Sequence, residues 1–167
     1  MEMKKLKIVS ALAASALVIL SVSSCGADVV TGRDGMLGYI RDYYSNDQLV
    51  MNASTYDHSE NIVWVTSESG LAGYCIAATF RLKPDNKYEF VRMESPAEAA
   101  DGIWECRWHG GTAVFVNNPD CRQVCYSDGE NTMTVDILST PADFFTPFNG
   151  GNADSYIYYY DAKGRKL

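Results

Sequence analysis

Four side chains with an affinity for soft metal ions fall in one stretch of the chain: Cys106, His109, Cys121 and Cys125. Their spacing, C-x2-H-x11-C-x3-C, has the outline of a zinc site, where thiolates and imidazoles close a tetrahedron. Two points oppose zinc. Residues 106 and 109 have opposite parity, so on a regular strand they face opposite sides. With Cys75, the cysteines also make a set of four, an even number that in an exported protein suits two disulfides in one of three connectivities. A Cys121–Cys125 bridge needs that segment to turn, because the two are about 13 Å apart when extended and about 6 Å apart in a helical turn. Cys75 lies on the more polar face of its expected strand and Cys106 on the more apolar face of its own, which leans against a 75–106 pair. Disulfides are the favoured reading, and no metal or other cofactor is expected.

Asp57-His58-Ser59-Glu60 contains the residue types of nucleophilic catalysis. Catalytic triads assemble from distant loops rather than from neighbours, so a polar turn is the better reading. The chain has no G-x-S-x-G, no H-E-x-x-H and no phosphate-cradling glycine loop. With two histidines in all, general acid–base catalysis by imidazole is not favoured, and paired carboxylates remain the one catalytic alternative. Ligand binding has a different set of candidates, the aromatic residues near the C-terminus: Phe144, Phe145, Phe148, Tyr158 and Tyr160. Exposed aromatics stack on sugars or anchor protein interfaces, whereas buried ones cap a core.

The elements that carry these residues read mainly as β-strands. Asp34 to Tyr44 is the clearest helix, with Met36, Leu37, Tyr39, Ile40, Tyr43 and Tyr44 on one stripe. Thr31 or Asp34 caps its start and Ser45-Asn46-Asp47 ends it. Asn61 to Ser67 is β-branched and aromatic, and Tyr74 to Lys83 and Tyr88 to Met93 form a hairpin about Pro84-Asp85-Asn86. Ser95 to Asp101, with Pro96 after a serine, suggests a short helical turn. Trp104, Cys106 and Trp108 then share a face, Gly110-Gly111 makes a turn, and Thr112 to Val116 returns, which sets Cys106 opposite Phe115 and Trp108 opposite Ala113. Thr132 to Leu138 and Tyr156 to Tyr160 read as further strands, and Pro141 to Asn152 as an aromatic loop. The expected fold is a small antiparallel sandwich or barrel-like domain with one N-terminal helix packed on it; the alternative is an α+β fold.

The N-terminus says where such a domain works. Lys4, Lys5 and Lys7 precede an uncharged apolar run from Ile8 to Val22, the layout of a secretory signal and too short for an ordinary membrane span of about 20 residues. Val22-Ser23-Ser24-Cys25 resembles the lipobox of bacterial lipoproteins. That resemblance implies cleavage before Cys25, a diacylglycerol on its thiol, and usually a further chain on its amine; two chains anchor durably where one does not. Gly26 stands where an aspartate would favour the inner membrane, so the outer membrane is expected in a Gram-negative host.

Residues 1–24 are then signal, 25–33 a lipidated cysteine and short tether of at most ~28 Å, and 34–167 one globular domain. Cleavage takes the net charge from −7 to −9 and leaves 143 residues, enough to bury a core. An acidic surface argues against nucleic acid as a partner. The expected protein is a membrane-anchored extracytoplasmic lipoprotein, acting as a non-catalytic binding module for an envelope protein or glycan. The alternatives are a carboxylate-dependent envelope hydrolase and a structural or assembly lipoprotein.

Overall fold

The computed structural model describes residues 28–67, 74–147 and 155–167. Cys25 and Phe148 lie outside the described residues. The fold is mainly β, and its strands form three antiparallel sheets with one helix packed on the first.

The first sheet orders its strands β1 (Val29–Thr31), β5 (Lys87–Glu94), β4 (Cys75–Lys83), β3 (Glu60–Ser67) and β2 (Leu49–Asp57). The second runs β11 (Ala142–Thr146), β8 (Gly111–Val116), β7 (Ile103–Trp108) and β6 (Ala97–Ala100). The third runs β10 (Thr132–Asp136), β9 (Gln123–Ser127) and β12 (Tyr156–Tyr160). Helix α1 spans Gly32–Tyr44.

Three apolar cores separate four layers. Met36 and Ile40 of α1 meet Val63, Val65, Ile76 and Phe80 of the first sheet. Ile62, Trp64 and Ala77, from the opposite face of that sheet, meet Trp104, Trp108 and Phe115 of the second. Ile103, Val114 and Val116, from the far face of the second sheet, meet Val124 and Tyr159 of the third, with Ile137 just beyond the end of β10. A strand with apolar neighbours on both faces reads as a continuous apolar run. Ile62-Val63-Trp64-Val65 and Ala113-Val114-Phe115-Val116 are such runs, and every one of these residues is buried. Phe115 anchors the middle core. Its ring stacks on Trp64 at 5.5 Å and on Trp104 at 5.6 Å, and burying each such side chain stabilises the fold by ~1.5–3 kcal/mol.

Several local expectations are corrected. The helix begins at Gly32, and Thr31 at its cap makes no side-chain cap bond. At the other end Ser45, at φ 50°, donates to Asp42 O and Asn46 to Arg41 O, so two terminal carbonyls are satisfied. Tyr43 and Tyr44 leave the apolar stripe and are exposed. The tether expected over 26–33 is partly folded, because Val29–Thr31 pair with Glu89–Lys87. Ser95 to Asp101 is no helical turn: Ala97–Ala100 pair with Glu105–Ile103 as an edge strand, so sheet pairing overrides the helix propensity of the alanines. Pro141 to Asn152 contains β11, which pairs with β8 through Thr146.

The β7–β8 turn is His109-Gly110, at φ 48° and 77°, and not Gly110-Gly111. Cys106 therefore faces Ala113, and Trp104 faces Phe115. Gly111 is needed in the strand itself, because a Cβ there would stand 2.2 Å from Thr146 O and 2.7 Å from the Phe145 ring.

Candidate functional site

The second sheet has an incomplete edge. β6 covers β7 only from Ile103 to Glu105, because Ser95-Pro96 leads the chain away to β5 and proline offers no N–H to a ladder. The edge of β7 beyond Glu105 opens into a pocket of about 410 Å³ lined by Glu94, Ser95, Pro96, Glu105, Arg107 and Thr112. Arg92 fixes one wall: its Nη2 donates to Arg107 O at 3.1 Å and lies 3.3 Å from Glu94 Oε1. From the third sheet, the buried Tyr159 hydroxyl donates to Glu105 Oε1 and fixes that carboxylate. Cys106 also lines the pocket. Burial pushes its thiol up to about 12, helped by the charge of Glu94, so it stays protonated at neutral pH and is a poor nucleophile. The pocket thus presents fixed carboxylates, a guanidinium and hydroxyls. That set suits hydrogen bonding to a polar ligand, and its two carboxylates are the groups a glycosidase would use.

A second cluster lies where two hairpin tips meet. His58, in the β2–β3 turn, places Nδ1 2.7 Å from Asp57 Oδ1. His109, in the β7–β8 turn, places Nε2 3.2 Å from Glu60 Oε2. Glu60 is also held by Arg81 at 3.1 Å, and the two imidazole centroids are 6.2 Å apart.

The residues singled out in the sequence scatter. Cys75, Cys106, Cys121 and Cys125 are free thiols, so the two expected disulfides are not formed. β9 begins at Gln123, leaving Cys125 in an extended strand that gives no turn for a 121–125 bridge. Cys75 and Cys106 share the middle core, contrary to the expectation that set them apart; the face of β4 that looked polar is covered by the second sheet. Both thiols are pushed up to about 12 by burial. The zinc quartet does not assemble: Cys106 is in the middle core, Cys121 in the outer one, and His109 on a turn.

The aromatic candidates also divide. Phe145 packs against the middle core and Phe144 against the outer one, on opposite faces of β11, so neither forms an exposed platform. Tyr158 spends its ring on the chain itself, stacking on Tyr156 at 4.5 Å with Lys166 Nζ 3.5 Å from its centroid. Tyr160 is half-buried beside the Lys166 bridge.

Sequence reasoning missed Glu94, Ser95, Glu105 and Arg107. The signal was the proline at residue 96, which ends one strand's ladder beside another. The chain matches no protein-family model, no curated protein and no solved structure.

Proposed function

We propose that this chain is a lipoprotein anchored through Cys25 on the extracytoplasmic side of a bacterial membrane, the outer membrane in a Gram-negative host, and that its domain is a non-catalytic module that binds an envelope glycan. The supporting observation is the pocket at the open edge of β7. Its volume of about 410 Å³ falls in the range of small-ligand sites. Carboxylates held by Tyr159 and Arg92 are preorganised acceptors for sugar hydroxyls, and Arg107 supplies donors. A sugar residue fits this concave, polar space better than the flat, larger contact of a protein partner.

The membrane-extracted protein tests the anchor. The reading expects a mass that starts at a diacylated Cys25, and a Cys25→Ala chain without lipid; an unmodified Cys25 in the wild type overturns it. Calorimetric titration of the full chain in detergent with soluble peptidoglycan fragments tests the module. Saturable binding that weakens at least tenfold in Arg107→Ala or Glu94→Ala supports it, and equal affinity in the variants, or none in any, overturns it. A second reading, a carboxylate-dependent hydrolase, is favoured by Glu94 and Glu105 lining one pocket. Release of new reducing ends that stops in Glu105→Gln would replace the first reading with the second.

A further inference from the structure

The chain has two histidines, and the fold brings them to one place from different sheets. Each occupies a two-residue hairpin loop, His58 at φ 53° and His109 at φ 48°. Left-handed backbone is uncommon for residues other than glycine, and it sets both rings at the tips of tight two-residue turns.

Each ring has one nitrogen on a carboxylate. Asp57 takes His58 Nδ1 at 2.7 Å and Glu60 takes His109 Nε2 at 3.2 Å. Glu60 is in turn held by Arg81. This is the outer shell that metal-binding histidines carry: a carboxylate on one nitrogen fixes the tautomer and raises the basicity of the other. His58 Nε2 and His109 Nδ1 are the nitrogens left to bind. Two imidazoles on one ion, at ~2.0–2.1 Å each, place their ring centroids ~5.3 Å apart at a tetrahedral angle and ~6.4 Å apart when opposed. The observed 6.2 Å lies inside that span, and the His58 side chain, 84% exposed, is open to an ion from solvent.

We propose that His58 and His109 form a surface site for one divalent transition-metal ion of the zinc or nickel class, for which imidazole is a suitable ligand. Among the described residues no three ligating side chains surround a single point, so water completes the coordination and the ion exchanges with solvent. The bound ion ties the β2–β3 tip of the first sheet to the β7–β8 tip of the second. The site is separate from the Glu94–Thr112 pocket and does not depend on the reading given to it.

The test titrates the full chain in detergent with Zn2+ by calorimetry and with Co2+ by absorption. One ion should bind per chain. His58→Asn and His109→Asn, which keep a residue tolerant of positive φ, should each weaken binding at least tenfold, and the double variant should lose it. Glu60→Gln should weaken binding by about tenfold with unchanged stoichiometry, as removal of an outer-shell carboxylate does. The Co2+ complex should lack a thiolate charge-transfer band. Equal affinity in wild type and both histidine variants, a thiolate band that survives in them, or no binding up to millimolar metal would each overturn the proposal.

Discussion

Tyr159 and Glu105 join the third sheet to the second through a hydrogen bond from the phenol to carboxylate Oε1. Tyr159 is 3% exposed, so its hydroxyl has no water to turn to. A hydrogen bond to a charged group contributes ~1.5–3 kcal/mol. Tyr159→Phe should therefore lower unfolding stability by that amount in urea titrations. Glu105→Gln keeps an acceptor and should cost less. No loss in Glu105→Gln would mean that charge contributes nothing here, and a loss equal to that of Tyr159→Phe would mean that charge carries the whole bond.

Stability should fall on the alkaline side for a related reason. Burial raises the Tyr159 phenol far above its ordinary value, and the charge of Glu105 adds to this. Burial likewise raises the thiols of Cys75 and Cys106 from 9.0 to about 12. In each case the folded state holds a proton that the unfolded state gives up, so the stabilisation is complete below about pH 9 and is lost as pH rises from there toward 12. Each thiol adds a slope of ~1.4 kcal/mol per pH unit in that window. Urea midpoints measured from pH 7 to 11 should stay flat and then drop, and Cys75→Ala/Cys106→Ala should flatten the drop. An oxidised Cys75–Cys106 pair would also remove the thiol slope; intact mass with alkylation tells the two apart.

Adjacent glycines should respond in opposite ways. At Gly111 an added Cβ would meet Thr146 O at 2.2 Å and the Phe145 ring at 2.7 Å. The obstacle is backbone of a paired strand, so β11 has to move off β8. Gly111→Ala should cost at least ~3 kcal/mol, beyond ordinary overpacking. At Gly110 a Cβ meets nothing within 4 Å and only the φ of 77° resists it. Gly110→Asn should cost ~1 kcal/mol or less. Thermal melts of the two variants check the contrast, and comparable losses would contradict it.

Those glycines also mark how far the sequence could be read. Strand periodicity located the β4–β5 hairpin and the aromatic face of Trp104 and Trp108, because alternation is local. Gly110-Gly111 looked like the turn because glycine adopts positive φ, but Gly111 answers to β11, more than thirty residues away. The same blindness hid the third sheet. Unbroken apolar runs in β3 and β8 were the sign of strands covered on both faces, yet a run alone does not say how many layers cover it. Likewise His58 and Glu60 read as a polar turn. Nothing local could report that His109 and Arg81 arrive beside them.

A last junction lies between the first and second sheets. Thr55 on β2, 7% exposed, donates through Oγ1 to Asp143 Oδ2 on β11, and the fully buried Trp64 donates Nε1 to the same hydroxyl at 3.3 Å. One hydroxyl thus serves an indole and a carboxylate. Thr55→Val preserves shape but orphans the buried Trp64 Nε1 and takes a donor from the half-buried Asp143, and an unsatisfied buried group costs ~1–3 kcal/mol. The expected loss is ~3 kcal/mol, whereas Thr55→Ser should recover most of it. Asp143→Asn keeps an acceptor for the hydroxyl and should fall between the two. Urea unfolding of the three variants is the measurement. If Thr55→Val were as stable as wild type, packing of Trp64 against Phe115, rather than this hydrogen-bonded bridge, would be what holds the two sheets in register.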